Sequence, residues 1–358
     1  MTSRVVILMP SIDKNAFGVR ELLIRQDFYC SQLRALKGGR FQRPLLIVSG
    51  SEAPQEEFQN MEVCVIASGN TSILSFFLKA WKVLRARNIN VESYVAGTPF
   101  QPFLAALLLQ VFYSRSPIHT AIHGEISALK TGGVLSRIKF LFLKTFISKA
   151  SSLRFVSEKQ LIGARKLLPV SKTKAFITPI PVLRTTEFQR VVSPQTIAFV
   201  GRLQSERGVQ DWIEIAKHFD ERRLVIIGDG PLLPMAKSAL PHAKFLGHLE
   251  NSKVQEVWSE IGVLLSTAQF ESYGLAMREA LLNGVPVVSR RNAGSLELHE
   301  QWPRLIQLFA NDKEAAEKIN MLLTHNPSLD DFIQFRNHFF DSQTKSLLTL
   351  ARAWSNEF

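Results

Sequence analysis

The chain has 358 residues, 46% hydrophobic and 21% charged, a balance that places it among globular proteins and excludes a disordered or low-complexity polypeptide. Its 43 Lys and Arg against 31 Asp and Glu leave a formal charge of +12, which calls for an acidic partner: a nucleotide, an anionic lipid surface or nucleic acid. Two cysteines, Cys30 and Cys64, exclude a disulfide framework and a cysteine metal cluster and fit a reducing cytosol.

Such a length exceeds one ordinary core and suits two domains of roughly 150 to 200 residues each. Short β-branched or apolar runs alternate with helical stretches throughout, the rhythm of α/β domains with mainly parallel sheets. In the first half, strands are expected at 4–9, 44–48, 62–66, 91–95, 117–122, 152–156 and 174–178, with helices at 17–37, 71–87, 99–113, 132–149 and 158–168. Met1 leads straight into the first strand, so no signal peptide is expected. Apolar runs such as Phe103–Phe112 reach about half the length needed to cross a bilayer.

The segment Gly133–Lys149 is a basic helix rich in Leu and Phe. Its first reading is a core helix that packs this apolar face on a sheet and solvates Arg137, Lys139, Lys144 and Lys149; the alternative is an interfacial helix on an anionic membrane. Three prolines in Thr178–Pro194 break the α/β rhythm and mark an interdomain linker. Beyond it, strands are expected near 196–200, 223–227, 243–246, 262–266, 285–289 and 304–308.

The motifs cluster in this second half. The strand ending at Val200 runs into Gly201-Arg202 and reaches a second cation at Arg207; two guanidiniums on one loop can straddle a diphosphate, although a basic surface loop would look the same. Gly228-Asp-Gly-Pro231 is a strand-to-helix turn, with Pro231 at a helix start. In Phe270-Glu-Ser-Tyr-Gly-Leu-Ala-Met-Arg-Glu279, one carboxylate precedes a helix and a second lies two turns inside it, with a Ser/Gly start between them. Unpaired amides at such a start favour a phosphate, and the flanking carboxylates can accept hydroxyls on either side of it. Alone, the same segment reads first as an N-cap at Ser272 and a solvated Glu279, and only second as a ligand site.

Taken in order, Gly201-Arg202 with Arg207, Gly228-Asp-Gly-Pro231, Phe245-Leu-Gly247, Glu271 to Glu279 and Gly284-Val-Pro-Val-Val288 resemble the retaining glycosyltransferases of family 4, or glycosyl transferases group 1, over about residues 194 to 300. The resemblance implies the GT-B architecture: two Rossmann-like α/β domains facing a cleft. Residues 1–180 would form the acceptor-side domain, rejoined by 340–358 through the last helix, and residues 195–339 the sugar-nucleotide domain.

The resemblance also assigns roles. Glu279 would take the ribose hydroxyls and Glu271 those of the transferred sugar, while Arg202, Arg207 and the Gly274-Leu275 amides form a metal-free clamp on the leaving diphosphate. Arg207 stands where the family usually has Lys. Gly201 and the Gly247-His248-Leu249 backbone would contact the nucleotide, His123 would lie beside the donor sugar, and Gly18 stands alone where the family commonly has a Gly-Gly turn.

The implied partners are a nucleoside-diphosphate sugar as substrate and a glycan or lipid-linked acceptor, with no cofactor, no metal and no nucleic acid; an anionic membrane surface remains open. The implied setting is cytoplasmic, with a peripheral seat on the membrane as the open alternative. The implied reaction retains configuration by front-side attack. The other readings are a GT-B epimerase or phosphorylase, or a noncatalytic nucleotide- or nucleic-acid-binding protein of the same fold. No RNA-binding signature and no pyridoxal-lysine context supports them.

Overall fold

A computed structural model describes residues 3–9, 19–38, 42–50, 57–66, 72–124, 126–170, 173–183 and 195–357. The chain divides into two compact units, Met1–Pro179 with Gln343–Phe358, and Ile180–Ser342. Among the described residues no helix is long and apolar enough to cross a membrane.

The first unit runs β1 (Arg4–Met9), α1 (Val19–Lys37), β2 (Leu45–Val48), β3 (Glu62–Val65), α2 (Ile73–Ala86), β4 (Val91–Ala96), α3 (Gln101–Phe112), β5 (Ile118–Ile122), α4 (Ile126–Thr131), α5 (Val134–Phe146), β6 (Ser152–Phe155), α6 (Glu158–Leu167) and β7 (Lys174–Ile177). Its sheet has the order β3-β2-β1-β4-β5-β6-β7, parallel throughout. Runs such as Leu45–Val48 are buried at every position because helices cover both faces. One face carries the core shared by α2, α3, α5 and α6, with Phe76, Phe103, Leu143 and Leu161. The other holds Tyr29 and Leu33 of α1.

The second unit runs β8 (Ile197–Val200), α7 (Val209–Ala216), β9 (Leu224–Ile227), α8 (Leu233–Ala239), β10 (Lys244–Gly247), α9 (Asn251–Val257), β11 (Val263–Ser266), α10 (Leu275–Leu282), β12 (Val287–Arg290), α11 (Ala293–Gln301), β13 (Ile306–Phe309), α12 (Asp312–Thr324) and α13 (Leu329–Trp354). Its sheet order is β10-β9-β8-β11-β12-β13. Chain order reverses between β8 and β11, so the loops leaving these two strands diverge at the carboxyl edge, where open α/β sheets bind ligands.

Helix α13 continues past Ser342, and Leu347, Leu350, Ala351 and Trp354 are buried in the α1-side core of the first unit. There Trp354 meets the Tyr29 ring edge-on at 6.0 Å, and its carbonyl accepts from Ser93 Oγ at 2.7 Å.

Several expectations need correction. Gly274, in a left-handed conformation, is the N-cap of α10 instead of Ser272, so Glu279 lies one turn inside the helix and not two. Pro231 falls in the turn before α8, and Pro234 takes the early helical position. The helix α4 had no sequence signal strong enough to separate it from its neighbours. Of the linker, residues 178–183 are irregular and 184–194 lie outside the described residues.

The core-helix reading of Gly133–Lys149 holds for one side only. Leu143 is buried and Phe140 and Phe142 pack on the core, but Val134, Leu135, Ile138 and Leu141 face solvent together with Arg137, Lys139 and Lys144. The helix carries more apolar surface than its contact with the sheet can cover.

Candidate functional site

The loop after β8 is shaped by glycines whose backbone other residues could not adopt. The amide of Gly201 donates to Ile227 O at 2.9 Å and that of Leu203 to Asp229 O at 2.9 Å, fixing the backbone on both sides of Arg202. Gly228 has φ +136°, and a Cβ there would lie 1.8 Å from Gly201 O, so the two strand ends meet only because position 228 has no side chain. Arg202 projects exposed from this junction, its side chain bonded to no described residue.

Farther along, a 3₁₀ turn over Ser205–Arg207 ends at Gly208 with φ +66°. A Cβ at Gly208 would sit 2.3 Å from Thr267 O. Thr267 Oγ1, at the end of β11, donates to the carbonyls of Gly208 at 2.8 Å and Arg207 at 3.2 Å, stitching the β8–α7 loop to the β11–α10 loop. That stitch sets Arg207 against Glu271, and the guanidinium and the carboxylate form an ion pair.

The Glu271 loop is held from a third side. Its carbonyl accepts from Gly294 N at 2.8 Å, and Asn292 Nδ2 donates to Ala268 O at 2.9 Å while Asn292 and Ser295 cap α11 reciprocally. Next to this, Gly274 starts α10 with no side-chain cap, leaving the first amides of the helix, from Leu275 on, unclaimed by a capping group. Glu279, one turn inside, is 8% exposed. Arg278, 4% exposed, stacks its guanidinium 3.7 Å from the Tyr273 ring centroid and pairs with Glu297 at 3.1 Å, locking the α10 start to α11.

Thus Gly201, Arg202, Arg207, Glu271, Gly274, Leu275 and Glu279 share the carboxyl edge of one sheet, and Arg207 and Glu271 touch. Leu249 is two strands away, half-buried beyond β10, whose Gly247 carbonyl accepts from Gly228 N at 2.8 Å. Sequence reasoning missed the supporting residues Thr267, Asn292, Gly294 and Arg278. The capping pattern Asn292-x-x-Ser295 was readable; Thr267 and Arg278 act through tertiary contacts that leave no local signature.

His123 belongs to the first unit, just after β5, with the Gly97 backbone that follows β4 beside its ring. Gln160, 4% exposed, donates to Gly124 O at 2.8 Å and holds this loop. Desolvation, then the charges of Arg154 and Arg25, act to push the His123 pKa down; the residue is exposed, so the desolvation is largely screened by solvent and the two guanidiniums set the direction. Arg154 is fixed by Thr178 O at 2.7 Å, Pro179 O at 2.9 Å and Tyr29 Oη at 2.6 Å. Gly18 lies outside the described residues.

Residues 185–338, nearly the whole second unit, match the family profile described as glycosyl transferases group 1. The second unit is a glycosyl transferases group 1 domain. A stretch of 102 residues is 32% identical to a GDP-mannose-dependent alpha-mannosyltransferase of Corynebacterium glutamicum, covering 28% of this chain and 24% of that protein. The chain therefore aligns with only about a quarter of that relative's length.

Among solved structures, Anabaena Alr3699/HepE in complex with UDP and glucose is similar with a TM-score of 0.68 at 14% identity, over 99% of both chains. Sucrose-phosphate synthase from Thermosynechococcus elongatus gives a TM-score of 0.70 at 12% identity, over 99% of this chain and 97% of that one. These likenesses establish the fold class: two α/β units with parallel sheets, as in GT-B glycosyltransferases, the group 1 domain being the second.

Proposed function

We propose that the protein is a glycosyltransferase that moves a hexose-type sugar from a nucleoside-diphosphate sugar to a glycan or lipid-linked acceptor, without a metal and with retention. The observation that carries this reading is the junction of Arg207, Glu271 and the open start of α10 at Gly274, with Glu279 one turn inside. An anion placed there meets helix amides and two guanidiniums, while the carboxylates of Glu271 and Glu279 accept hydroxyls on either side of it. A sugar nucleotide has that order of groups.

In the reaction, the bond from the anomeric carbon to the diphosphate oxygen breaks as the acceptor hydroxyl bonds to the same carbon. Negative charge collects on the diphosphate, where Arg202, Arg207 and the Leu275 end of α10 stabilise it, and the departing phosphate oxygen takes the acceptor proton. His123, exposed just after β5, serves in this reading as a hydrogen-bonding group to a sugar hydroxyl. With a lipid-linked acceptor, the reading places the protein peripherally on the cytoplasmic face of a membrane.

The test is hydrolysis or transfer with GDP-mannose, UDP-glucose and other UDP-, GDP- and ADP-hexoses, read as nucleoside diphosphate release. The mannosyltransferase relative makes GDP-mannose the first donor to try, and the UDP-bound neighbour makes UDP-glucose the second. Release from one donor above the others supports the reading; binding of nucleotides without release from any donor, acceptor lipids included, overturns it in favour of a noncatalytic binder.

A further inference from the structure

The outer helical layer of the first unit has an unusual composition. The helices α2, α3, α4 and α5 contain no Asp or Glu, while α2 carries Lys79, Lys82 and Arg85, α4 carries Lys130 and α5 carries Arg137, Lys139 and Lys144. By contrast, α12 of the second unit carries Asp312, Glu314 and Glu317 on a single helix.

The same layer exposes apolar side chains that no described residue covers. On α5, Val134, Ile138 and Leu141 form a stripe one and two turns apart, exposed by 75%, 58% and 63%, with Leu135 beside it. On the same face of the sheet Leu74 and Leu78 of α2 and Val111 and Phe112 of α3 are also exposed. Neighbouring contacts join the three helices: Phe77 meets Phe112 at 5.8 Å between ring centroids, and Lys139 Nζ lies 5.5 Å from the Phe100 ring at the start of α3.

Cations without carboxylates, flanking aliphatic side chains on a helix that lies flat on its domain, match an anionic bilayer surface: the stripe enters the acyl boundary and the lysines reach the headgroups. A protein partner fits less well, since protein interfaces are depleted in Lys and the cations here are mostly Lys. We infer that the α2–α3–α5 layer is a membrane-docking face for anionic lipid, with α5 as its inserting element. This deepens the peripheral, lipid-linked part of the functional reading above and rests on it for its purpose, but it involves none of the residues assigned to the donor.

The test uses the full chain with vesicles of phosphatidylcholine alone or mixed with phosphatidylglycerol. Sedimentation is expected with the anionic vesicles only and is released by high salt. Combined Arg137→Gln, Lys139→Gln, Lys144→Gln and Lys149→Gln should weaken partitioning by about 10²–10³-fold, at about 1 kcal/mol per cation. Combined Leu135→Ser, Ile138→Ser and Leu141→Ser, all at exposed positions, should also abolish it even at low salt. No sedimentation of the parent chain, or equal sedimentation of the charge variant, overturns the inference, as does full retention by the apolar variant, which would reduce the contact to charge alone. Nucleotide affinity should be unchanged in both variants. Intact vesicle binding with no donor turnover would sink the enzymatic reading and leave the docking face standing.

Discussion

Arg207 and Glu271 form one ion pair across the junction of the loops leaving β8 and β11, under the stitch that Thr267 makes to Gly208. Both side chains are partly exposed, so the pair itself contributes at most about 1 kcal/mol to stability. Its value in the proposed reaction is orientation: each group holds the other in place at the junction of the two loops. Arg207→Ala and Glu271→Gln should each lower turnover about 10²-fold with a small change in melting temperature. Because either change breaks the same pair, the double variant should be little worse than the poorer single one. Steady-state rates with the identified donor decide this, and fully multiplicative losses would mean that the two side chains act separately.

Arg202 stands differently, exposed and with no side-chain bond to a described residue, on backbone fixed at Gly201 and Leu203. Removing it should leave the fold untouched and cut kcat by about 10²-fold, because the charge matters most as the leaving diphosphate develops its own. Arg202→Lys should recover part of the rate, as charge returns without the planar fork. EDTA should change donor turnover little; complete dependence on an added divalent ion would contradict a clamp made of guanidiniums and helix amides.

Glu279 is the group to test in binding, not in rate. Glu279→Ala should weaken nucleoside-diphosphate affinity by about 1.5–3 kcal/mol through loss of a charged acceptor for the ribose. Calorimetric titration with UDP, GDP and ADP measures it. Unchanged affinity for the best of the three would remove Glu279 from the nucleotide site.

Much of the fold was legible because parallel strands buried on both faces leave continuous apolar runs: Val5–Leu8, Leu45–Val48 and Leu224–Ile227 could hardly be anything else. The glycines of the group 1 domain were legible because strand-end turns demand them at fixed offsets, and its charged residues only through the family resemblance. The supports were not. Thr267 is one hydroxyl whose role depends on a loop some 60 residues earlier in sequence, and Arg278 looks like a solvated helix cation until Tyr273 and Glu297 are seen around it. The α5 surface was misjudged for a related reason: periodicity reports that a helix has an apolar face but not whether the protein has anything to cover it.

Glycine positions separate two kinds of constraint. At Gly228 an added Cβ would strike the Gly201 carbonyl, a backbone atom that cannot move without pulling β8 and β9 apart. At Gly274 it would meet Met277 Cε at 2.0 Å, the free end of a flexible side chain, so the remaining cost is the left-handed conformation, about 1–2 kcal/mol. Gly228→Ala should therefore lower thermal stability more than Gly274→Ala, whereas Gly274→Ala should lower donor affinity more, since it disturbs the α10 start. Equal stability losses would show that the 228 turn relaxes as easily as a methionine.

Glu62 offers a pH test in the first unit, away from every residue assigned to the donor. Burial would raise its pKa, but Arg4 at 2.5 Å and Arg87 on its other oxygen outweigh that and hold it below the usual carboxylate value. A folded pKa below the unfolded one means that the native state keeps the carboxylate charged longer than the unfolded chain does. The contribution is therefore fully present above the unfolded value, about 4.3, and is lost as pH falls through the lower folded value. Glu62→Gln should lower the melting temperature at pH 7, and the difference from the parent chain should shrink steadily below about pH 4. A difference that stays constant to pH 3, read by calorimetry, would show that Glu62 stabilises β3 by packing and hydrogen bonds alone, with no contribution from its charge.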